Sequence, residues 1–103
     1  MEENNYSYAE EAANWWAEEI KNSTTTPVRG IASFKKLLAE QIKAIYSIRG
    51  HMSISTYHSR SKLLDETAMK AQLSETVPTG YEMRIISSHV YIYNCNGQLV
   101  KEF

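Results

Sequence analysis

The stretch Tyr81-Glu-Met-Arg-Ile-Ile-Ser-Ser-His-Val-Tyr-Ile-Tyr-Asn-Cys-Asn-Gly-Gln-Leu-Val-Lys-Glu-Phe103 decides the fold. It alternates apolar and polar residues with period two, is rich in β-branched and aromatic side chains, and carries the turn signal Asn96-Gly97. Everything before it reads as helix. An isolated hairpin buries too little to stand alone in water, so the helices must cover the strands. The expected fold is α+β: three helices followed by a three-stranded antiparallel meander packed on them.

Turn chemistry sets the register, and a one-residue slip would invert every side chain. A two-residue turn at Ser87-Ser88 places Ile85 opposite Val90 and Met83 opposite Ile92. For the next turn, a type I′ turn at Asn96-Gly97 would pair Ile92 with Lys101, mixing core and charge. A type I turn at Cys95-Asn96 with Gly97 as a left-handed bulge pairs Ile92 with Val100 and Tyr93 with Leu99 instead. That register is the expected one. It gives one face of Met83, Ile85, Val90, Ile92 and Val100. Arg84, Tyr91, Tyr93, Leu99 and Lys101 form the other, with Tyr91 between two cations, an aromatic and basic platform suited to a protein partner or to unpaired bases.

Upstream, Ser7-Tyr8-Ala9-Glu10 matches a capping box, predicting a helix from Tyr8. Ala9, Ala12, Ala13, Trp16 and Ile20 recur at helical spacing and form its apolar face. Trp15 lies about 100° round from Trp16, at the edge of that stripe. Asn22 to Pro27 is polar and reads as a linker. A second helix runs from about Ile31 or Phe34 to Ile48, with Phe34, Leu38, Ile42 (or Gln41), Ile45 and Ile48 inward, Leu37 widening the stripe and Gly50 as its stop. His51 to Thr56 is ambiguous, since Met52 and Ile54 alternate while the serines suit a turn; it is read as a loop. A third helix extends from about Tyr57 or Arg60 to Leu73, ended by Pro78 and Gly80. Trp16, Ile20, Phe34, Leu38, Ile42, Ile45, Leu64, Ala68, Ile85, Val90 and Ile92 are the expected core.

The chain has 103 residues, one domain's worth, spanning 1–103, and a chain of that size buries roughly two-thirds of its unfolded surface. A single cysteine, Cys95, excludes an internal disulfide. The start Met-Glu-Glu-Asn-Asn-Tyr lacks a signal-peptide pattern and no apolar run reaches membrane-spanning length, so a cytoplasmic, non-membrane protein is expected. Charge is unevenly spread. Residues 1–28 hold six glutamates against Lys21, a net −5, and residues 29–62 hold seven basic residues against Glu40, a net +6. An acidic helix lying beside a basic one would cancel much of this.

Motifs with chemistry are scarce. His51, His58 and His89 stand at no metal-ligand spacing. Ser59-Arg-Ser-Lys62 fits a serine acyl-enzyme pattern but lacks its companion motifs. Asp65 and Glu66, adjacent on a helix, diverge by about 100°, a poor geometry for sharing a proton or metal. The four glycines are scattered, with no phosphate loop. No enzyme activity, cofactor or metal is expected.

Two binding functions follow from the pattern. The first is a small protein-binding inhibitor, of the phage or mobile-element, anti-CRISPR-like class, that occludes a nucleic-acid-handling enzyme. Its acidic helix would replace phosphates with Glu10, Glu11, Glu18 and Glu19 beside Trp15, and Arg84, Tyr91, Tyr93 and Lys101 would add a second contact. The alternative is a winged-helix-like nucleic-acid binder with Tyr57, His58, Arg60 and Lys62 opening a recognition helix. A homodimer is expected to be available through the C-terminal edge strand, Gln98–Phe103.

Overall fold

The structure, a computed structural model, describes residues 7–57 and 59–103. Its elements in chain order are α1 (Ser7–Asn22), α2 (Ile31–Arg49), β1 (His51–Ser55), α3 (Lys62–Ala71), β2 (Tyr81–Ile86), β3 (His89–Asn94) and β4 (Leu99–Glu102). The fold is α+β, with three helices over one face of a four-stranded antiparallel sheet in the order β1-β2-β3-β4. α2 packs between α1 and α3 and against β1, and α1 reaches over β3. Among the described residues no helix is long and apolar enough to cross a membrane.

The expectation of three strands, all after the helices, is corrected by β1. His51–Ser55 pairs with β2, Met52 opposite Ile85 and Ile54 opposite Met83, with Met52 and Ile54 buried and the intervening residues exposed. The period-two signal was real but short, and the partner strand lies some thirty residues downstream, beyond any local turn rule. Thr56 closes the pair: its N–H donates to the Tyr81 carbonyl at 2.7 Å, and its Oγ1 accepts from the Tyr81 N–H at 3.1 Å.

The β2–β3 register is the expected one, with Ile85 opposite Val90 and Met83 opposite Ile92. Ser87 and Ser88 both take positive φ, 53° and 63°, as a type I′ turn demands. The turn is held to the helix layer, because the Ser88 N–H donates to Tyr46 Oη at 2.7 Å and the Tyr46 ring packs on Tyr8 at 4.6 Å. The next turn is also as expected at its tip. The Gly97 N–H donates to the Asn94 carbonyl at 2.9 Å, Gly97 sits at φ 78°, and Tyr93 faces Leu99. A second irregularity follows. Val100 is skipped, so Ile92 faces Lys101 and Tyr91 faces Glu102. Val100 is consequently 47 % exposed and outside the core, which corrects its assignment to the apolar face.

Nine of the expected core residues, including Trp16, Phe34, Ile42, Leu64, Ile85 and Ile92, are buried, while Ile45 and Ala68 are half-buried against them. Alanines 9, 12, 13 and 17 are buried along α1, leaving room for its close contact with α2. Ile48 departs from its expected inward place and is 84 % exposed. Each i+3 step from Ile42 to Ile45 to Ile48 falls about 60° short of a full turn, which carries the last isoleucine off the core side. Ser7 is already helical, and the position before it lies outside the described residues. α2 ends at Gly50 as read, its N–H donating to the Tyr46 carbonyl at 2.7 Å. α3 is shorter than expected. Ser61 caps it by accepting from the Leu64 N–H at 3.3 Å, and Gln72 closes it in the left-handed conformation.

Candidate functional site

The helices cover the face bearing Met52, Ile54, Met83, Ile85, Val90 and Ile92, and among the described residues no helix covers the opposite face of the sheet. Strand alternation places on it Ser53 and Ser55 from β1, Glu82, Arg84 and Ile86 from β2, His89, Tyr91 and Tyr93 from β3, and Leu99 and Glu102 from β4. Tyr57, just after β1, joins them. Its hydroxyl donates to the Asn94 carbonyl at 2.6 Å, so its side chain straps β1 to β3 across β2. Desolvation, then the Glu82 carboxylate, raise the Tyr57 phenol above its ordinary range.

Arg84 is the organising cation of this face. Its Nε donates to Glu82 Oε2 at 2.8 Å, two residues away on the same side of the strand, and its guanidinium lies 5.3 Å from the centre of the Tyr93 ring. The Glu82 contact holds its pKa above the ordinary arginine value, so it is a fixed positive charge. Stacking of this kind contributes about 0.5–1 kcal/mol at an exposed site and fixes where the guanidinium points. Tyr91 stands opposite Arg84 on β2 and Glu102 on β4, with the His89 ring 6.3 Å away. Tyr57, Tyr91 and Tyr93 are half-buried.

Lys101 does not belong here, contrary to the sequence reading. The skip at Val100 turns it to the helix side, where its Nζ lies 5.5 Å from the Phe103 ring. The face then carries Arg84 against Glu82 and Glu102, a net −1 with histidines neutral, and no lysine. An aromatic face is present; a basic one is not.

The acidic helix lies in the other layer, so its residues and the sheet tyrosines do not form one surface. Glu10 reaches Lys43 at 3.9 Å and, with Glu11, lines a groove of about 700 Å3 between α1 and α2, shared with Lys35 and Lys36. The two opposite fields therefore meet within the molecule. Glu18 pairs with Lys21 at 3.2 Å. Glu19 points to another side, where its Oε1 accepts from the Tyr81 hydroxyl at 3.2 Å, and Trp15 packs edge-on against Tyr81 and Trp16 at 4.9 and 5.0 Å. Burial and the Glu19 charge raise the Tyr81 phenol. Trp16, fully buried within this aromatic cluster, has no hydrogen-bond partner for its Nε1 among the described residues.

The residues expected to open a recognition helix are also dispersed. Tyr57 belongs to the sheet face, and His58 lies outside the described residues. Arg60 is held in a two-pronged contact with Asp65 at 2.8 and 2.9 Å, and Lys62 is the first residue of α3, 4.0 Å from Glu66. β1 and a loop separate α2 from α3, so they are not a tight helix-turn-helix. Among the described residues no group of three or more His, Cys, Asp or Glu is placed to hold a metal, and Cys95 is exposed in the β3–β4 turn.

Sequence reasoning grouped Arg84, Tyr91 and Tyr93 correctly but omitted Tyr57, whose place depends on β1. Alternation across Ser53, Ser55 and Tyr57 was the signal that could have found it. Comparison with protein-family models, curated proteins and solved structures finds no match to this chain.

Proposed function

We propose that this chain is a non-catalytic protein-binding module that engages its partner through the open face of its sheet. The observation that carries the reading is the set Tyr57, Tyr91, Tyr93 and Arg84, with Tyr57 tied to the Asn94 carbonyl and Arg84 stacked on Tyr93, covered by no helix among the described residues and on a face without lysine. Tyrosine and arginine dominate interface hot spots while lysine is depleted from them. A surface of net charge −1 lacks the cations that give nucleic-acid binding most of its affinity. Ile86 and Leu99, each about half exposed, add apolar area at the margins of the face.

The test replaces Tyr91 and Tyr93 together by alanine and compares capture of the partner from cell extract with that of the native chain. Loss of about 2–4 kcal/mol, well over tenfold in affinity, is the expected result. Unchanged capture would sink the proposal, as would retention of single-stranded oligonucleotide that weakens steeply with salt.

Occlusion of a nucleic-acid-handling enzyme by α1, in the other layer, is a second reading, on a surface distinct from the open face. Its support is Glu11 and Glu18, seven residues apart on the same side of the helix, both exposed, with Lys21 3.2 Å from Glu18. Charge reversal at Glu11 and Glu18 is then expected to slow association and remove its salt dependence. A native rate in the double variant speaks against this reading alone.

A further inference from the structure

We infer that the free edge of β1, with the cleft beside it, takes an extended acidic peptide of another protein as a fifth strand, on a surface that borders the open face at Ser53 and Ser55 but does not use Tyr91 or Tyr93. β1 is an end strand, and among the described residues nothing pairs with its outer side. Because the Thr56 N–H donates to Tyr81, and hydrogen-bonded pairs alternate along an antiparallel ladder, Met52, Ile54 and Thr56 direct their backbone groups to β2. The N–H and C=O groups of His51, Ser53 and Ser55 point outward. The strand has five regular residues, without proline, lysine or bulge. β4, the other edge, is shorter and carries the skip at Val100 with Lys101 and Glu102, features that deter strand addition.

The cleft specifies what the added strand must carry. It measures about 410 Å3 and is lined by Ile45, Arg49, His51, Met52, Ser53 and Leu63. Ile45, Met52 and Leu63 are its apolar lining, Arg49 is its cationic group, and no carboxylate of the described residues lines it. A fifth strand would send alternate side chains into this cleft and lay the others beside the small Ser53 and Ser55. The fitting occupant is an extended segment of about five residues with an apolar side chain for Ile45 and Leu63 and a carboxylate for the Arg49 guanidinium. A second copy fits less well, since its own β1, His51-Met-Ser-Ile-Ser55, offers no carboxylate.

The probe is a pool of random peptides displayed on phage and selected against the full chain, followed by titration of one selected peptide, made synthetically, while backbone amide resonances are recorded. Selected sequences enriched in Asp or Glu and in β-branched residues, with resonance changes at 51–55, Ile45 and Leu63, are the expected result. Ser53→Pro removes an outward N–H and leaves the β1–β2 ladder intact, and should weaken binding by at least about tenfold. Arg49→Glu, at an exposed position, should shift selection from acidic to basic peptides and decides the matter if the proline variant misfolds. The Tyr91→Ala, Tyr93→Ala double variant should bind the peptide as the native chain does, so the two surfaces are judged separately. No selected peptide, no acidic enrichment, resonance changes confined to the open face, or a dimer in light scattering that Ser53→Pro dissolves would each overturn the inference.

Discussion

At the scale of single residues, tyrosine hydroxyls do much of the joining between elements: Tyr46 holds the β2–β3 turn, Tyr57 straps the sheet, and Tyr81 reaches from the sheet to α1. Tyr81 makes a test by pH possible. Its folded-state pKa is raised above the ordinary 10.0, first by burial and then by the Glu19 carboxylate. A raised folded pKa means that the unfolded chain loses this proton first, so the contribution is complete below pH 10 and is lost as pH climbs through the folded value. Tyr81→Phe should therefore be less stable than the native chain at neutral pH, by about 0.5–1.5 kcal/mol for one hydrogen bond. The gap should narrow above pH 10. Urea denaturation of both proteins across that range checks it; a gap that widens with rising pH refutes the assignment.

At the scale of elements, the turns fix the sheet, and they can be improved. Ser87 and Ser88 occupy a type I′ turn at φ 53° and 63°, a conformation in which serine is strained and Asn-Gly is at ease. Replacing the pair by Asn and Gly keeps the backbone N–H that meets Tyr46 and should stabilise by about 1 kcal/mol, seen as a higher urea midpoint at unchanged slope. The same turn made the β2–β3 register readable from sequence, because only one pairing put Ile85, Val90, Met83 and Ile92 on a common face. The helices were legible for a similar reason, their apolar spacing and the Gly50 stop being local features. β1 was not, since its identity rests on contacts with β2 made only after α3 has intervened. That one omission hid the place of Tyr57, and the single-residue skip at Val100 turned Lys101 to the wrong face in the sequence reading. Arg84, Tyr91 and Tyr93 were legible because they lie before the skip. Where the pattern was continuous the site could be read, and one extra residue was enough to convert an expected basic platform into an aromatic face of net −1.

At the scale of the whole molecule, the helix layer is tied together where the start of α2 meets the end of α3. The Arg29 N–H donates to Ser74 Oγ at 2.9 Å and the Ser74 N–H to the Arg29 carbonyl at 3.0 Å, closing a contact between segments 45 residues apart. Gly30 stands beside it at φ 82°, and a Cβ there would come within 2.6 Å of the Ala71 carbonyl oxygen and 2.9 Å of that of Gln72. Both neighbours are backbone, so neither can rotate away. Gly30→Ala must either push α3 from α2 or twist the cap, and because α2 also carries the core side chains Phe34, Leu38 and Ile42, the displacement spreads to the sheet. The expected cost is about 2–4 kcal/mol from strain and overpacking together. For a domain of this size that is on the order of 10–20 °C in melting temperature. Gly50→Ala is the control, sharing the positive φ of 76° but with no atom of the described residues within 4 Å of the added carbon. It should lose only the left-handed penalty, about 1–2 kcal/mol. The difference between the two variants in thermal denaturation measures the close approach of α2 and α3, and equal losses would show that the contact contributes nothing beyond backbone strain.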